Sequence, residues 1–193
     1  DVPFPDPRDG DFRIAAKVSD VTYAYAPPRL ATTGQALAWP ALTGVSGDLV
    51  FERNGMRVRN ARGRIVGAPD IEVTKADVQI EDMAHPAPML GVDARARGPL
   101  GELLKAGAPL TGEVAAAVAA IRATGNADYQ LKLELPLENM DKTKVQASVV
   151  LGGNDLQLAP EAPVIGQAHG SLSFTESGFQ LNGVQGRLAG GDT

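Results

Sequence analysis

PALTGVSGDLVFERNGMRVRNARGRIVGA (residues 40–68) and PVIGQAHGSLSFTESGFQLNGVQGRLAGG (residues 163–191) align without a gap at a constant offset of 123. Eight of the 29 positions are identical: Pro40/Pro163, Gly47/Gly170, Leu49/Leu172, Phe51/Phe174, Gly55/Gly178, Gly63/Gly186, Arg64/Arg187 and Gly67/Gly190. Ordinary residue frequencies would give roughly two matches. Inside each copy apolar and polar residues alternate with period two, the pattern of a strand with one dry face. Asn54-Gly55 between two such runs predicts a type I′ hairpin turn, and Ser177-Gly178 keeps its glycine. Gly63 and Gly186 predict a bulge or bend repeated in each copy. A supersecondary unit written twice implies a body that grows by stacking.

The alternation extends outward from the repeat. Val21, Tyr23 and Tyr25 carry it, as do Ile71-Glu-Val-Thr, Ala76-Asp-Val-Gln-Ile80, Leu131-Lys-Leu-Glu-Leu-Pro-Leu137 and Val145-Gln-Ala-Ser-Val149. Each run has one apolar and one polar face, as in an antiparallel sheet wetted on a single side. One helical island interrupts it over about 98–123. Pro99 suits a first helical position, with Leu100, Leu103 and Leu104 on one face before Gly107. Thr111 can cap a second helix carrying Val114, Val118 and Ile121, ending near Gly125. The expected fold is mainly β: a curved antiparallel repeating groove, taco-like, with one or two short helices. Residues 1–193 read as a single segment of a larger repeating structure, since the chain opens without Met or signal peptide and residue 193 corresponds to Asp70, just before a strand.

Composition narrows the function. Hydrophobic residues make up 44% of the chain but aromatic ones only 5%, so the apolar face is built from Val, Leu, Ile and Ala. A net charge of −5 argues against nucleic acid as a partner, and no Lys/Arg cluster of the kind that docks on anionic lipid heads stands out. There is no cysteine, hence no disulfide and no Cys-based zinc site. No run approaches 18 uninterrupted apolar residues.

Catalytic patterns are missing as well. His85 lies in a Pro-rich loop and His169 on a repeat strand, neither with a partner at motif spacing. Gly44-Val-Ser46-Gly47 lacks the spacing and the strand–helix context of a nucleophile elbow. Asp6-Pro-Arg-Asp9-Gly-Asp11 lacks the closing Glu of a calcium loop and reads as a solvated turn. Neither a catalytic residue nor a metal ligand set nor a cofactor is expected, and an enzyme is the least favoured class.

What remains is the apolar face, which periodicity alone leaves open between a sealed core and a binding groove. An acyl chain gains roughly 0.8 kcal/mol per buried methylene, so a strip covering about ten of them would contribute about 8 kcal/mol.

The residues also carry a family likeness. Trp39-Pro40, Gly47-Asp-Leu-Val-Phe51 and Gly63-Arg-Ile-Val-Gly67 come first, then Gly98-Pro-Leu with a helix. Ala108-Pro-Leu110 and Leu133-Glu-Leu-Pro-Leu137 follow, before Leu172-Ser-Phe174. This order resembles the YhdP-type AsmA-like proteins, large envelope proteins of Gram-negative bacteria, over nearly the whole chain. Where that pattern often has Ser-Pro-Leu after the first helix, this chain has Ala108-Pro109-Leu110, which keeps the Pro-Leu turn.

The resemblance implies a periplasmic segment of a protein anchored in the inner membrane by a helix outside these residues. It also implies a bridge-like lipid-transfer groove with an apolar interior. The implied role is passage of phospholipid between inner and outer membranes, supporting the outer-membrane permeability barrier, with acyl chains and further envelope proteins as partners. The inward aliphatics would be Leu49, Phe51, Val58, Ile71, Val73, Val78, Ile80, Leu131, Leu133, Leu135, Val145, Val149, Leu172 and Phe174. A single bulge reverses the facing of everything after it. The rival reading is a structural or assembly module of the envelope, with a closed core and edges that recruit partners by strand addition.

Overall fold

Alternating aliphatic and polar residues make strands here, and the strands pair almost in the order in which they are written. The structure, a computed structural model, describes residues 12–23, 41–106, 119–139, 142–175, 178–188 and 191–192. Its elements are β1 (Arg13–Tyr23), β2 (Leu42–Glu52), β3 (Gly55–Ile65), β4 (Ala68–Ile80), β5 (Met89–Pro99) and α1 (Leu100–Ala106), then β6 (Arg122–Ala123), β7 (Asn126–Pro136), β8 (Lys144–Gln157), β9 (Ile165–Thr175), β10 (Gly178–Leu188) and β11 (Gly191–Asp192). They form one sheet in the order β1-β2-β3-β4-β5-β7-β8-β9-β10-β11, with β6 pairing β8 off that path. Neighbours are antiparallel throughout. Among the described residues the fold is thus a mainly β, open and curved antiparallel sheet with the short helix α1, as the alternation predicts.

The hairpins β2–β3 and β9–β10 have identical registers at the offset of 123, from Leu42↔Ile65 and Ile165↔Leu188 to Glu52↔Gly55 and Thr175↔Gly178. Each contains two compensating bulges. Gly44 and Val45 stand opposite the single Gly63, and Asn60 and Ala61 opposite the single Gly47. In the second hairpin Gln167 and Ala168 face Gly186, while Gly183 and Val184 face Gly170. The extra residue has a positive φ in every case: 60° at Gly44, 50° at Gln167, 52° at Asn60 and 57° at Gly183. Gly63 and Gly186 therefore face a bulge rather than form one. A Cβ on Gly47 would sit 3.0 Å from the Ala61 Cα, and one on Gly170 would sit 2.7 Å from both the Gly183 carbonyl oxygen and the Val184 Cα. Close backbone approach is what excludes a side chain at these positions. Gly170→Ala is expected to cost about 3 kcal/mol of stability through that overlap, read as a lowered midpoint in urea with an unchanged slope.

One carboxylate secures a bulge from outside. Asp77 Oδ1 accepts the Asn60 backbone N–H at 2.9 Å, and its other oxygen lies 3.1 Å from Lys75 Nζ. The Asn60 hydrogen bond, which outweighs the opposing effect of desolvation, holds the Asp77 carboxyl below its ordinary value, with Lys75 assisting. A depressed folded-state pKa contributes stability above the unfolded carboxylate range, and this is lost as pH falls through the folded value. Asp77→Asn should therefore flatten the acid limb of a stability-versus-pH curve below about pH 4 and leave its slope near pH 7 unchanged.

The hairpin turn lies one residue earlier than Asn54-Gly55. Glu52 pairs with Gly55, so Arg53 and Asn54 are the central residues, and Arg53 carries the positive φ of 51°. At the helical island Pro99 closes β5 by pairing with Asn126 instead of opening α1. Leu100, Leu103 and Leu104 of α1 pack on the core made by Ala68, Ile71, Ala127 and Leu151, with Leu100 itself buried. Thr111, Val114 and Val118 of the second expected helix lie outside the described residues, as do Trp39, Pro40 and residues 108–110. The expected continuation of that helix toward Gly125 does not form. Residues 119–120 are helical, Ile121 has left the helix, and Arg122 and Ala123 pair with Gln157 and Leu156. Strand pairing there overrides alanine's helix propensity.

Candidate functional site

Directly opposed residues of an antiparallel ladder share a face, so the registers show which side chains line up across the sheet. One row runs Ile14, Phe51, Met56, Ile80, Leu90, Leu135. The next runs Ala16, Leu49, Val58, Val78, Val92, Leu133, Val145. A third carries Ala76, Ala94, Leu131, Ala147 and Phe174, and a fourth Val73, Ala96, Tyr129, Val149 and Leu172. Ile71, two residues before Val73 on β4, joins the same side. All fourteen inward residues named from the sequence thus lie on one face. The strand spacing of about 4.8 Å makes that face on the order of 40 Å long from β1 to β10.

The bulges keep it continuous. On β3, Met56 and Val58 have even numbers while Ala61, Gly63 and Ile65 have odd ones, and the extra residue Asn60 makes the switch. Arg57, Arg59, Arg62 and Arg64 are accordingly exposed together on the other face. On β4 the register slips between Val73 and Lys75, which returns Val73 and Ile71 to the side of Ala76 and Val78.

Burial along the face is uneven. Ile71, Val73, Ile80, Leu133, Leu135 and Val149 are buried, Ile71 at 0% exposure and Leu133 at 3%. Leu49, Phe51, Val58, Val78, Leu131, Val145, Leu172 and Phe174 are half-buried. Toward the sheet edges Ile14, Val21, Tyr23 and Leu181 are exposed. The centre of the face is closed by its own packing; its flanks are open.

Among the described residues, Tyr129 and Asn154 are buried on the apolar side with their polar groups satisfied. Tyr129 donates its hydroxyl to the Gly98 carbonyl at 3.0 Å, and burial pushes its pKa up to about 12, with Asp128 adding to the shift. Asn154, fully buried, donates to the carbonyls of Thr124 (2.8 Å) and Asn126 (3.1 Å) and accepts the Gly152 N–H at 3.0 Å. It fastens the chain leaving the helical island to β8. Sequence reasoning missed it; its only signal is an Asn where β8 would otherwise continue its apolar set. Asn154→Leu would strand two carbonyls and one N–H, an expected loss of about 3 kcal/mol, measurable as a fall in thermal midpoint.

The polar face is mixed in charge. Arg57–Glu52, Lys75–Asp77, Arg97–Glu72 and Lys144–Glu134 are ion pairs at 3.1–3.6 Å, all solvent-exposed and each worth little to stability. Two shallow clefts of about 510 and 560 Å³ lie on this side, lined by charges of both signs. His85 holds its own loop, its Nδ1 accepting the Ala87 N–H at 3.0 Å. Among the described residues no group of three or more His, Asp or Glu could hold a metal ion, and no helix is long and apolar enough to cross a membrane. What the described residues of the apolar face offer is apolar contact.

The family model described as "YhdP protein" matches residues 1–193. No curated protein and no solved structure matches.

Proposed function

The chain belongs to the YhdP family, and on that premise we propose that its apolar face carries phospholipid acyl chains between the inner and outer membranes of a Gram-negative envelope. The segment would lie in the periplasm, with the membrane anchor elsewhere in the protein, and would support the outer-membrane barrier. The observation that carries this reading is the set of aliphatic rows crossing the sheet on one face, with half-buried flanks. Acyl chains lying across the strands replace water along these rows, while head groups stay in solvent at the open edges. Sliding needs no specific polar contact, and none of the chemistry of an enzyme.

The flanks, not the centre, are the contact surface in this reading: Leu49, Phe51, Val58, Val78, Leu172 and Phe174. Ile71, Leu133, Leu135 and Val149 support them from within. Organic extraction of the purified chain, followed by lipid mass spectrometry, is expected to return phospholipid in a reproducible ratio to protein. A lipid-free protein that also fails to take up phospholipid from vesicles would overturn the reading.

The near-complete burial of Ile80, Leu90, Leu133 and Leu135 favours a second reading. There the face is a sealed core and the chain a structural module of the envelope. That reading predicts a dry protein and no lipid adducts at the flank positions.

A further inference from the structure

The two hairpins differ where their shared backbone does not require a difference. β2–β3 and β9–β10 have one register, and their inward residues stay apolar in both copies: Leu49 and Phe51 recur as Leu172 and Phe174, and Val58 as Leu181. Outward the copies part. β3 presents Arg57, Arg59, Arg62 and Arg64, all exposed, where β10 has Gln180, Asn182, Gln185 and Arg187. A backbone that carries amides at three of these four positions does not need guanidinium groups there in order to fold.

Neighbouring strands enlarge the cationic surface. Arg62, between Ala61 and Gly63, falls opposite the Thr74–Lys75 stretch of β4, and Lys75 is directly opposed to Arg95 on β5. Like charges directly opposed weaken a ladder. Lys75 is relieved by Asp77 at 3.1 Å. Among the described residues, no carboxylate lies within ion-pair distance of Arg59, Arg62, Arg64 or Arg95. These cations come from separate strands, so the sequence shows no cluster where the sheet assembles one.

We propose that the polar surface of β3–β5 is a docking site for an acidic, extended segment of a partner protein, whose carboxylates pair with Arg59, Arg62, Arg64 and Arg95. Arg57 and Arg59, and again Arg62 and Arg64, are two residues apart on a strand, roughly 6.6–6.8 Å. Alternate side chains of an extended partner repeat at the same interval. A guanidinium offers a carboxylate two parallel N–H donors, and this surface already makes such a charge pair where Arg97 meets Glu72 at 3.3 Å. A uniformly anionic membrane fits less well. Asp48 stands opposite Arg59, and Asp93 opposite Asp77, so a layer of phosphates would meet acids as well as cations. A discrete peptide sets its carboxylates over the cations and small neutral residues over the acids.

The test titrates the 193-residue chain with a fluorescent peptide of alternating glutamate and serine, followed by anisotropy and by the NMR signals of the arginine side chains. Saturable binding is expected at low ionic strength, weakening as salt is added, with shifts at Arg59, Arg62 and Arg95. Arg59→Asn combined with Arg62→Gln installs the residues that β10 carries at these positions, Asn182 and Gln185. It should weaken binding about tenfold with an unchanged circular dichroism spectrum. Arg95→Gln, on a different strand, should weaken it as well and so checks the site should the double variant misfold. Absence of saturable binding would overturn the proposal, as would equal affinity for a lysine–serine peptide or undiminished binding by the folded variants. Phosphatidylglycerol vesicles that bind, and lose binding in the double variant, while the acidic peptide does not bind, would overturn it in favour of a membrane surface.

Discussion

Leu133→Asp is expected to unfold this chain at neutral pH. Leu133 is 3% exposed and packs with Ile80, Leu90 and Leu135, supported by Val78, Val92 and Val145. Removing a buried leucine side chain costs about 2–5 kcal/mol, and an ionised carboxylate with no partner in its place adds several more. The sum is comparable with the whole stability of an ordinary domain, about 5–15 kcal/mol. Circular dichroism should show loss of the cooperative transition, with partial recovery as the pH drops below the carboxylate range. Leu133→Met, which conserves volume, should stay within about 1.5 kcal/mol of the wild type. Native-like stability in Leu133→Asp would mean that the centre of the face is wet.

The second large effect separates lipid contact from folding. Val58 and Val78 are directly opposed on β3 and β4, half-buried, and in the second apolar row. Val58→Glu combined with Val78→Lys places opposite charges across the strands, an arrangement that stabilises a ladder by about 0.2–1 kcal/mol. The same pair sets two charged groups in the path of an acyl chain, which would have to strip them of water at a cost of several kcal/mol even though they are paired. Co-purified phospholipid should fall at least tenfold while the thermal midpoint moves by only a few degrees. Retention of lipid in a folded double variant would remove Val58 and Val78 from the contact surface.

Much of this architecture is legible in the sequence because period-two alternation and sheet facing are the same physical fact. β2, β3, β4, β7 and β8 announce themselves that way, and the offset of 123 fixes two hairpins at once. β5 gives a weaker signal, although Val92, Ala94 and Ala96 alternate with Asp93, Arg95 and Arg97; alanine and aspartate are depleted in strands, and pairing on both sides decides the matter. The bulges were misplaced for a related reason. A glycine that faces a bulge is as obligatory as one within it, so Gly63 and Gly186 pointed to the right step but the wrong strand. Val73 and Val78 fall on one side only because of the slip between Val73 and Lys75. The clasp by Asn154 was invisible, since its three partners come from Gly152 and the returning loop around Gly125.

Site-specific photocrosslinking along β3 tests the central proposition most directly. A photoreactive residue placed singly at Met56, Arg57, Val58, Arg59, Arg64 and Ile65, in cells or with vesicles, samples both faces of one strand. Phospholipid adducts are predicted at Met56, Val58 and Ile65 and not at the three arginine positions, so that the even-to-odd switch at Asn60 appears in the lipid contacts themselves. Adducts at all six positions alike, or at none, would contradict acyl-chain carriage on this face.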